Sequence, residues 1–237
     1  MQTGNWRIAI VVWLLGVSGA PLYGGSEKSG SLDVEPEDLR PGLVAHYRSL
    51  ADKNAMLYRI EAKPAFHLGH SSPHPRLPPG PFEVLWTGVL NLTDPTPLTF
   101  DAYVCGDVTI EVDGVAVLQG RGSSETAQIN SKEPLKRPQG LYRLRIRYRS
   151  PTDKPSRLQI WWQGPTFTRE PLPAWQLKHL AADLTPDVRQ DQLAEKGRAA
   201  VGRLGCARCH SGAFPTLAES PPGPSLADAR RRINRDW

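Results

Sequence analysis

The sequence predicts a mainly β protein, an antiparallel β-sandwich followed by a short, incomplete α-helical unit. Three observations predict it. Seven short strand-like runs lie between Gly42 and Trp162, separated by turn residues. Several of them alternate apolar and polar residues with period two, the mark of a half-buried strand. Beyond them, Thr185-Pro186 opens a helical pattern with a capping residue and a proline at the first helical position.

Composition sets the outer bounds. The chain has 237 residues, room for one large domain or one domain with a smaller unit. Its 39% apolar and 22% charged residues exclude wholesale disorder. The 23 prolines disfavour a helical bundle, because proline interrupts helix interiors. Three cysteines are too few for a disulfide scaffold, and a net charge of +5 does not by itself imply nucleic acid. No apolar run approaches the roughly 20 residues of a membrane-spanning helix.

At the N-terminus, Arg7 precedes the apolar run Ile8 to Val17 and the small residues Ser18, Gly19 and Ala20. Residues 1–22 therefore read as an export signal or a short retained anchor, which places the working protein outside the cytoplasm, periplasmic or secreted. Residues 23–40, rich in Gly, Ser, Glu and Pro, read as a linker.

The expected sandwich occupies residues 41–182. Its strands are Leu43–Arg48, Phe82–Leu92, Leu98–Val104, Val108–Val112, Val115–Gln119, Tyr142–Tyr148 and Leu158–Trp162. Tyr142, Leu144, Ile146 and Tyr148 should line one face of their strand, and Arg143, Arg145, Arg147 and Arg149 the other. Asp113-Gly114 between Val112 and Val115 is a type I′ hairpin signal, since both central positions need positive φ.

The segments Gly42-Leu43-Val44-Ala45-His46-Tyr47, Phe82–Trp86 with Thr87-Gly88, and Tyr103 leading into Val108–Gly114 resemble the protective-antigen-type (PA-fourteen) domain. So do Gly140-Leu141-Tyr142 and Leu158-Gln159-Ile160-Trp161-Trp162. The resemblance covers residues from about 40 to about 180 and implies a β-sandwich often associated with carbohydrate. Some members of that family bind sugar through calcium held by paired aspartates before the Asp-Gly hairpin. Here Cys105-Gly106-Asp107 stands in that place with one carboxylate, whereas calcium takes six to eight oxygen ligands.

Other features of this region read as structural. The arginine stripe is a solvated sheet face before it is a polyanion grip. His67, His70 and His74 crowd a proline-rich, extended surface segment by chance rather than as a metal site. Cys105 is a small buried residue, and Trp161, Trp162 and Trp175 pack in the core or at the domain edge.

A boundary near Asp183 precedes a helix over 187–201, which leads through Gly202 and Gly205 into Cys206-Ala207-Arg208-Cys209-His210. This C-x-x-C-H spacing lets two thiols form thioethers with one edge of a haem while the next imidazole ligates the iron. A redox dithiol would want a surrounding βαβ pattern, and a zinc site a second ligand pair downstream; the sequence has neither. The flanking Gly197–Val201 and Leu204-Gly205 resemble the first helix of class I c-type cytochromes, and Gly223-Pro224-Ser225-Leu226 resembles the segment after the motif.

That resemblance implies one covalent haem c on Cys206 and Cys209, with His210 on the iron. The Pro224 carbonyl would orient His210 and Leu226 would pack on the ring. Residues 230–237 resemble the start of the next helix. Family members then supply an axial methionine and a further helix, whereas the only methionines here are Met1 and Met56. The expectation for residues 183–237 is a truncated cytochrome unit from a longer gene product. The alternative is a haem left open or bis-His ligated by His179 or another donor. Residues 187–237 are not expected to fold stably without haem.

The function expected from these readings is electron transfer to or from an extracytoplasmic redox partner, with the sandwich docking the protein or holding a glycan or other cell-surface ligand. The alternative is an extracytoplasmic carbohydrate- or protein-binding module with an inert tail. The sequence shows no catalytic carboxylate pair, Ser-His-Asp set or phosphate loop, so an electron carrier is expected before a catalyst. Nucleic acid is not an expected partner, and membrane contact follows only if the N-terminal segment is retained.

Overall fold

A computed structural model describes residues 31–94 and 96–206 of the chain. The export-signal segment and the site residues Cys209, His210, Pro224 and Leu226 lie outside the described residues.

Eleven strands and one α-helix follow in order. They are β1 (Leu39–Pro41), β2 (Leu43–Ser49), β3 (Met56–Glu61), β4 (Phe66–Gly69), β5 (Phe82–Leu92) and β6 (Thr99–Val112). Then come β7 (Val115–Asn130), β8 (Gly140–Arg149), β9 (Ser156–Gln163), β10 (Glu170–Pro171), β11 (Leu177–Leu180) and α1 (Pro186–Leu204). All the strand pairings are antiparallel, so the mainly β expectation holds.

Two long strands connect two layers. The first half of β6 pairs with β9 (Phe100 opposite Trp162), and the second half pairs with β8 (Ile110 opposite Ile146). Similarly, β5 pairs with β8 along one side and with β2 and then β11 along the other. The first layer is thus β3-β2-β5-β8-β6-β7, and the second is built on β6, β9 and β4. Phe66 of β4 touches Phe82, Trp86 and Tyr148 across the gap, with ring centroids 4.9–6.1 Å apart. Trp86, Val84, Tyr148, Ile146, Val104 and Ile160 all lie in this core.

Alternation makes the core what it is. In β8 the apolar positions Tyr142, Leu144, Ile146 and Tyr148 are buried and the arginines between them turn outward, as the period-two pattern predicts. Asp113 (φ 55°) and Gly114 (φ 74°) form the expected hairpin between β6 and β7. Within the core layer, Glu61 accepts hydrogen bonds from Tyr47 Oη (3.0 Å) and Trp86 Nε1 (2.8 Å), so two large buried side chains have their polar atoms satisfied.

Several expectations are corrected. The runs Leu98–Val104 and Val108–Val112 are one strand, because Gly106 (φ 128°) carries the backbone through the crossing between layers without ending the ladder. The Val115 strand runs on to Asn130, and β1, β3, β4, β10 and β11 are additional; β1 begins in the expected linker and ends at the first residue of the expected sandwich. His74 is buried, 3% exposed, not part of an extended surface segment. Trp162 is core and Trp161 half-buried, but Trp175 is 56% exposed and packs in no core. No helix among the described residues is long and apolar enough to cross a membrane.

Candidate functional site

The outer face of the first layer concentrates charge in registered rows. Across β2, β5, β8, β6 and β7 the facing residues are Arg48, Glu83, Arg149, Asp107 and Arg121, alternating in sign. Arg48 pairs with Glu83 at 3.2 Å, and Arg121 donates to Asp107, with Nη2 to Oδ2 at 2.9 Å. Both carboxylates beside Arg149 therefore already hold another arginine. Two residues along β8, Arg147 lies between Leu85 and Thr109, with Nε 4.0 Å from Glu83. Next, Arg145 lies between Thr87 and Glu111, and beyond it Arg143 reaches Asp183 at 3.6 Å. Among the described residues Arg145 and Arg149 form no ion pair, and both are exposed.

Hollows follow this ladder. A cleft of about 520 Å³ at one end is lined by Gly106, Asp107, Arg121, Ser123, Arg149 and Lys154, among others. Its floor is backbone. A Cβ on Gly106 would stand 2.5 Å from the Arg149 carbonyl oxygen, and one on Gly122 would stand 1.8 Å from that of Val104. Beneath it Tyr148 Oη donates to the Cys105 carbonyl. Burial pushes the Cys105 thiol up from its ordinary value, the behaviour of an inert packing residue.

Toward the other end lie a hollow of about 220 Å³ (His46, Arg48, Glu83, Leu85, Arg147) and a cleft of about 530 Å³ that includes Thr87, Glu111, Arg143, Arg145 and Asp183. A small depression walled by Leu85, Thr109, Glu111, Arg145 and Arg147 joins them. The His46 ring stacks on Tyr58, with centroids 4.4 Å apart, and its buried Nε2 has no hydrogen-bond partner. Burial first, then the charge of Arg48, holds His46 below the ordinary histidine value, against the opposing pull of Glu83. A separate hollow of about 400 Å³ beside β7 contains one cation and one anion, Lys132 and Glu133, and gathers no charge of one sign.

The described residues contain no group of three His, Cys, Asp or Glu side chains able to hold a metal ion. Asp107 is engaged by Arg121 and Cys105 is buried, so the segment where the protective-antigen resemblance places paired aspartates brings no carboxylate pair together. The three clustered histidines diverge as well. His67 meets Glu125, His70 is exposed, and His74 Nε2 lies 2.9 Å from Glu195 Oε1.

That last contact docks α1 on the sandwich. Thr185 Oγ1 caps the helix by accepting from Val188 N (3.4 Å), with Pro186 at the first position as expected. Asp191 accepts from Tyr58 N of β3 (2.8 Å) and from Arg76 Nη1 (2.6 Å). The helix ends at Gly205 in the left-handed conformation (φ 67°), and Cys206 follows at once, half-buried and with a free thiol. His179, the candidate sixth ligand, is 3% exposed, with Nδ1 2.9 Å from the Gly42 carbonyl oxygen. That burial and that contact hold its imidazole within the sandwich. Sequence reasoning found the arginine stripe and the helix. It missed the charged rows and the Asp191 and Glu195 dock, because both depend on which strands pair across long separations.

The chain matches no protein family model and no curated protein. Solved structures do resemble it. An anti-sigma factor domain-containing protein superposes with TM-score 0.51 and 22% identity over 58% of this chain and 48% of its own. A PA14 sugar-binding domain from RTX adhesin gives TM-score 0.44 and 16% identity, over 59% of this chain and 98% of its own. The Epithelial Adhesin 6 A domain from Candida glabrata, in complex with Galb1-3GlcNAc, gives 0.49 and 12%, over 64% of this chain and 91% of its own. At such identities the likeness bears on fold alone. The chain spans about half the length of the first of these proteins and shares with it an antiparallel β architecture.

Proposed function

We propose that the chain is an extracytoplasmic binding module whose ligand docks on the outer face of the first layer. The observation that carries this reading is the pair of exposed arginines without ion pairs, Arg145 and Arg149, each lining an open cleft. The rows across the sheet alternate in sign, but along β8 itself the alternate positions Arg143, Arg145, Arg147 and Arg149 are all arginine. A glycan is the ligand class that the protective-antigen-type resemblance supports. The test is a glycan array probed with the full chain. Specific capture that is weakened by Arg145→Gln with Arg149→Gln supports the reading, and an array with no specific spots overturns it.

A second reading has its own support. The C-x-x-C-H motif begins on the residue after a helix closed by left-handed Gly205, and Cys206 has a free thiol there, which fits thioether attachment. Cys206 and Cys209 would hold a haem and His210 would face its iron, with Pro224 orienting that imidazole. Bound haem supplies one-electron chemistry, and a redox partner outside the cytoplasm would follow. Expression with the haem-attachment machinery should give a denaturation-resistant haem-stained band and a pyridine haemochrome, both lost in Cys206→Ser with Cys209→Ser. Equal staining of that variant would remove the reading.

A further inference from the structure

Resting on the binding-module reading, we infer that the ligand is a linear polyanionic polysaccharide, carboxylated or sulfated, lying along β8 across the arginine ladder. Successive outward residues on a strand stand about 7 Å apart, so Arg143 to Arg149 present four guanidinium groups along about 20 Å of strand. The two without ion pairs, Arg145 and Arg149, are four residues or about 14 Å apart. No single small anion spans that separation, whereas a chain bearing an anion on successive units does. Three of the hollows adjoin in the same direction, with Leu85 and Arg147 walling two of them and Arg145 and Glu111 the next two. Arg149 lines a separate cleft at the end of the row.

The chemistry of the face selects the occupant. A guanidinium offers a planar fork of donors that matches carboxylate and sulfate oxygens. Beside the arginines stand Leu85, Thr87 and Thr109, none of them aromatic. Glu111 stands next to Arg145, and Glu83 and Asp107 next to Arg149, the last two already paired with Arg48 and Arg121. Single-stranded nucleic acid binds by stacking bases on exposed rings, and the ring pair at this edge, His46 and Tyr58, is stacked on itself with planes 13° apart. Neutral sugars gain mainly from aromatic platforms and have no use for unpaired cations. Threonine hydroxyls between guanidinium groups suit a hydroxylated, acidic chain.

The experiment uses the full chain and four immobilised probes: polygalacturonate, heparin, neutral dextran and oligothymidylate. Polygalacturonate or heparin should bind, and the two arms separate carboxylate from sulfate. Binding should weaken with salt, and monomeric galacturonate should compete poorly. Arg145→Gln, Arg147→Gln and Arg149→Gln together should weaken binding at least about tenfold, by summing modest exposed-pair contributions. A control that removes equal charge elsewhere, Lys53→Gln, Lys132→Gln and Lys136→Gln, should leave it within about twofold. An unchanged thermal midpoint shows that each variant is folded. The inference is overturned if the ladder variant binds like the parent, if the control loses as much, or if oligothymidylate binds as tightly as the acidic polysaccharides. Capture of neutral glycans only would overturn the inference and leave the binding-module reading intact; capture of no glycan at all would overturn both.

Discussion

At Gly106 one residue decides both a strand and a site. Its φ of 128° belongs to glycine, and the neighbouring Arg149 carbonyl leaves no room for a side chain. Gly106→Ala should therefore destabilise the protein by more than the roughly 1–3 kcal/mol of a strained backbone alone. Gly114→Ala is the comparison, since φ there is 74° and nothing lies within 4 Å of an added Cβ. Denaturant unfolding of both variants isolates the clash; equal losses would show that Arg149 yields freely. The same geometry explains why the paired-aspartate pattern of the resembling family has no counterpart here. An aspartate at Gly106 would meet the Arg149 carbonyl, and the cleft is furnished by Arg121, Arg149 and Lys154 in place of a carboxylate pair. The substitution of glycine was visible in the sequence; its positive φ and its backbone neighbour were not.

At the scale of elements, α1 and the 70–81 segment meet through His74. Burial holds its conjugate acid below the ordinary histidine value; Glu195 opposes that, and Arg59 and Arg198 add to it. The folded chain thus binds this proton more weakly than the unfolded chain. The stability His74 carries is complete above about pH 6.5 and is lost as the pH falls through the lower folded value. The unfolding midpoint should fall between about pH 7 and about pH 5, and His74→Asn should reduce the fall while His46, held low by the same cause, keeps part of it. Identical pH profiles for parent and variant would show that His74 does not report on folding. Elements differ in how far they could be read beforehand. β5 and β8 announce themselves by alternation, and α1 by Thr185-Pro186 and Gly205. Met56–Glu61 alternates poorly, with a pattern of mostly half-buried residues, so β3 emerges only through pairing with β2. The charged row from Arg48 to Arg121 draws on five strands, and no local window contains it.

Over the whole molecule, stability is uneven by construction. The strands form one continuous ladder network in which β5, β6 and β8 are each paired on both sides and share a single core. The helix instead rests on β3 through Asp191 and on the 70–81 segment through Glu195 and His74, with Val188 buried, while Leu193 and Leu204 stay exposed. An element held by few apolar contacts opens at lower free energy than a central strand. Native-state hydrogen exchange should therefore release the α1 amides well before those of β5, β6 and β8. Asp191→Ala removes the acceptor for Tyr58 N–H and for Arg76, charge-assisted bonds together worth about 1–3 kcal/mol, and should speed helix exchange by roughly ten- to a hundredfold. The central strands should keep their protection, because none of their ladder partners is touched. Uniform loss of protection would instead mean that helix and sandwich unfold as one unit. The distinction bears on function, since α1 delivers Cys206. A helix that opens independently moves Cys206 without disturbing the ladder of β8, so the arginine face stays formed when the helix opens.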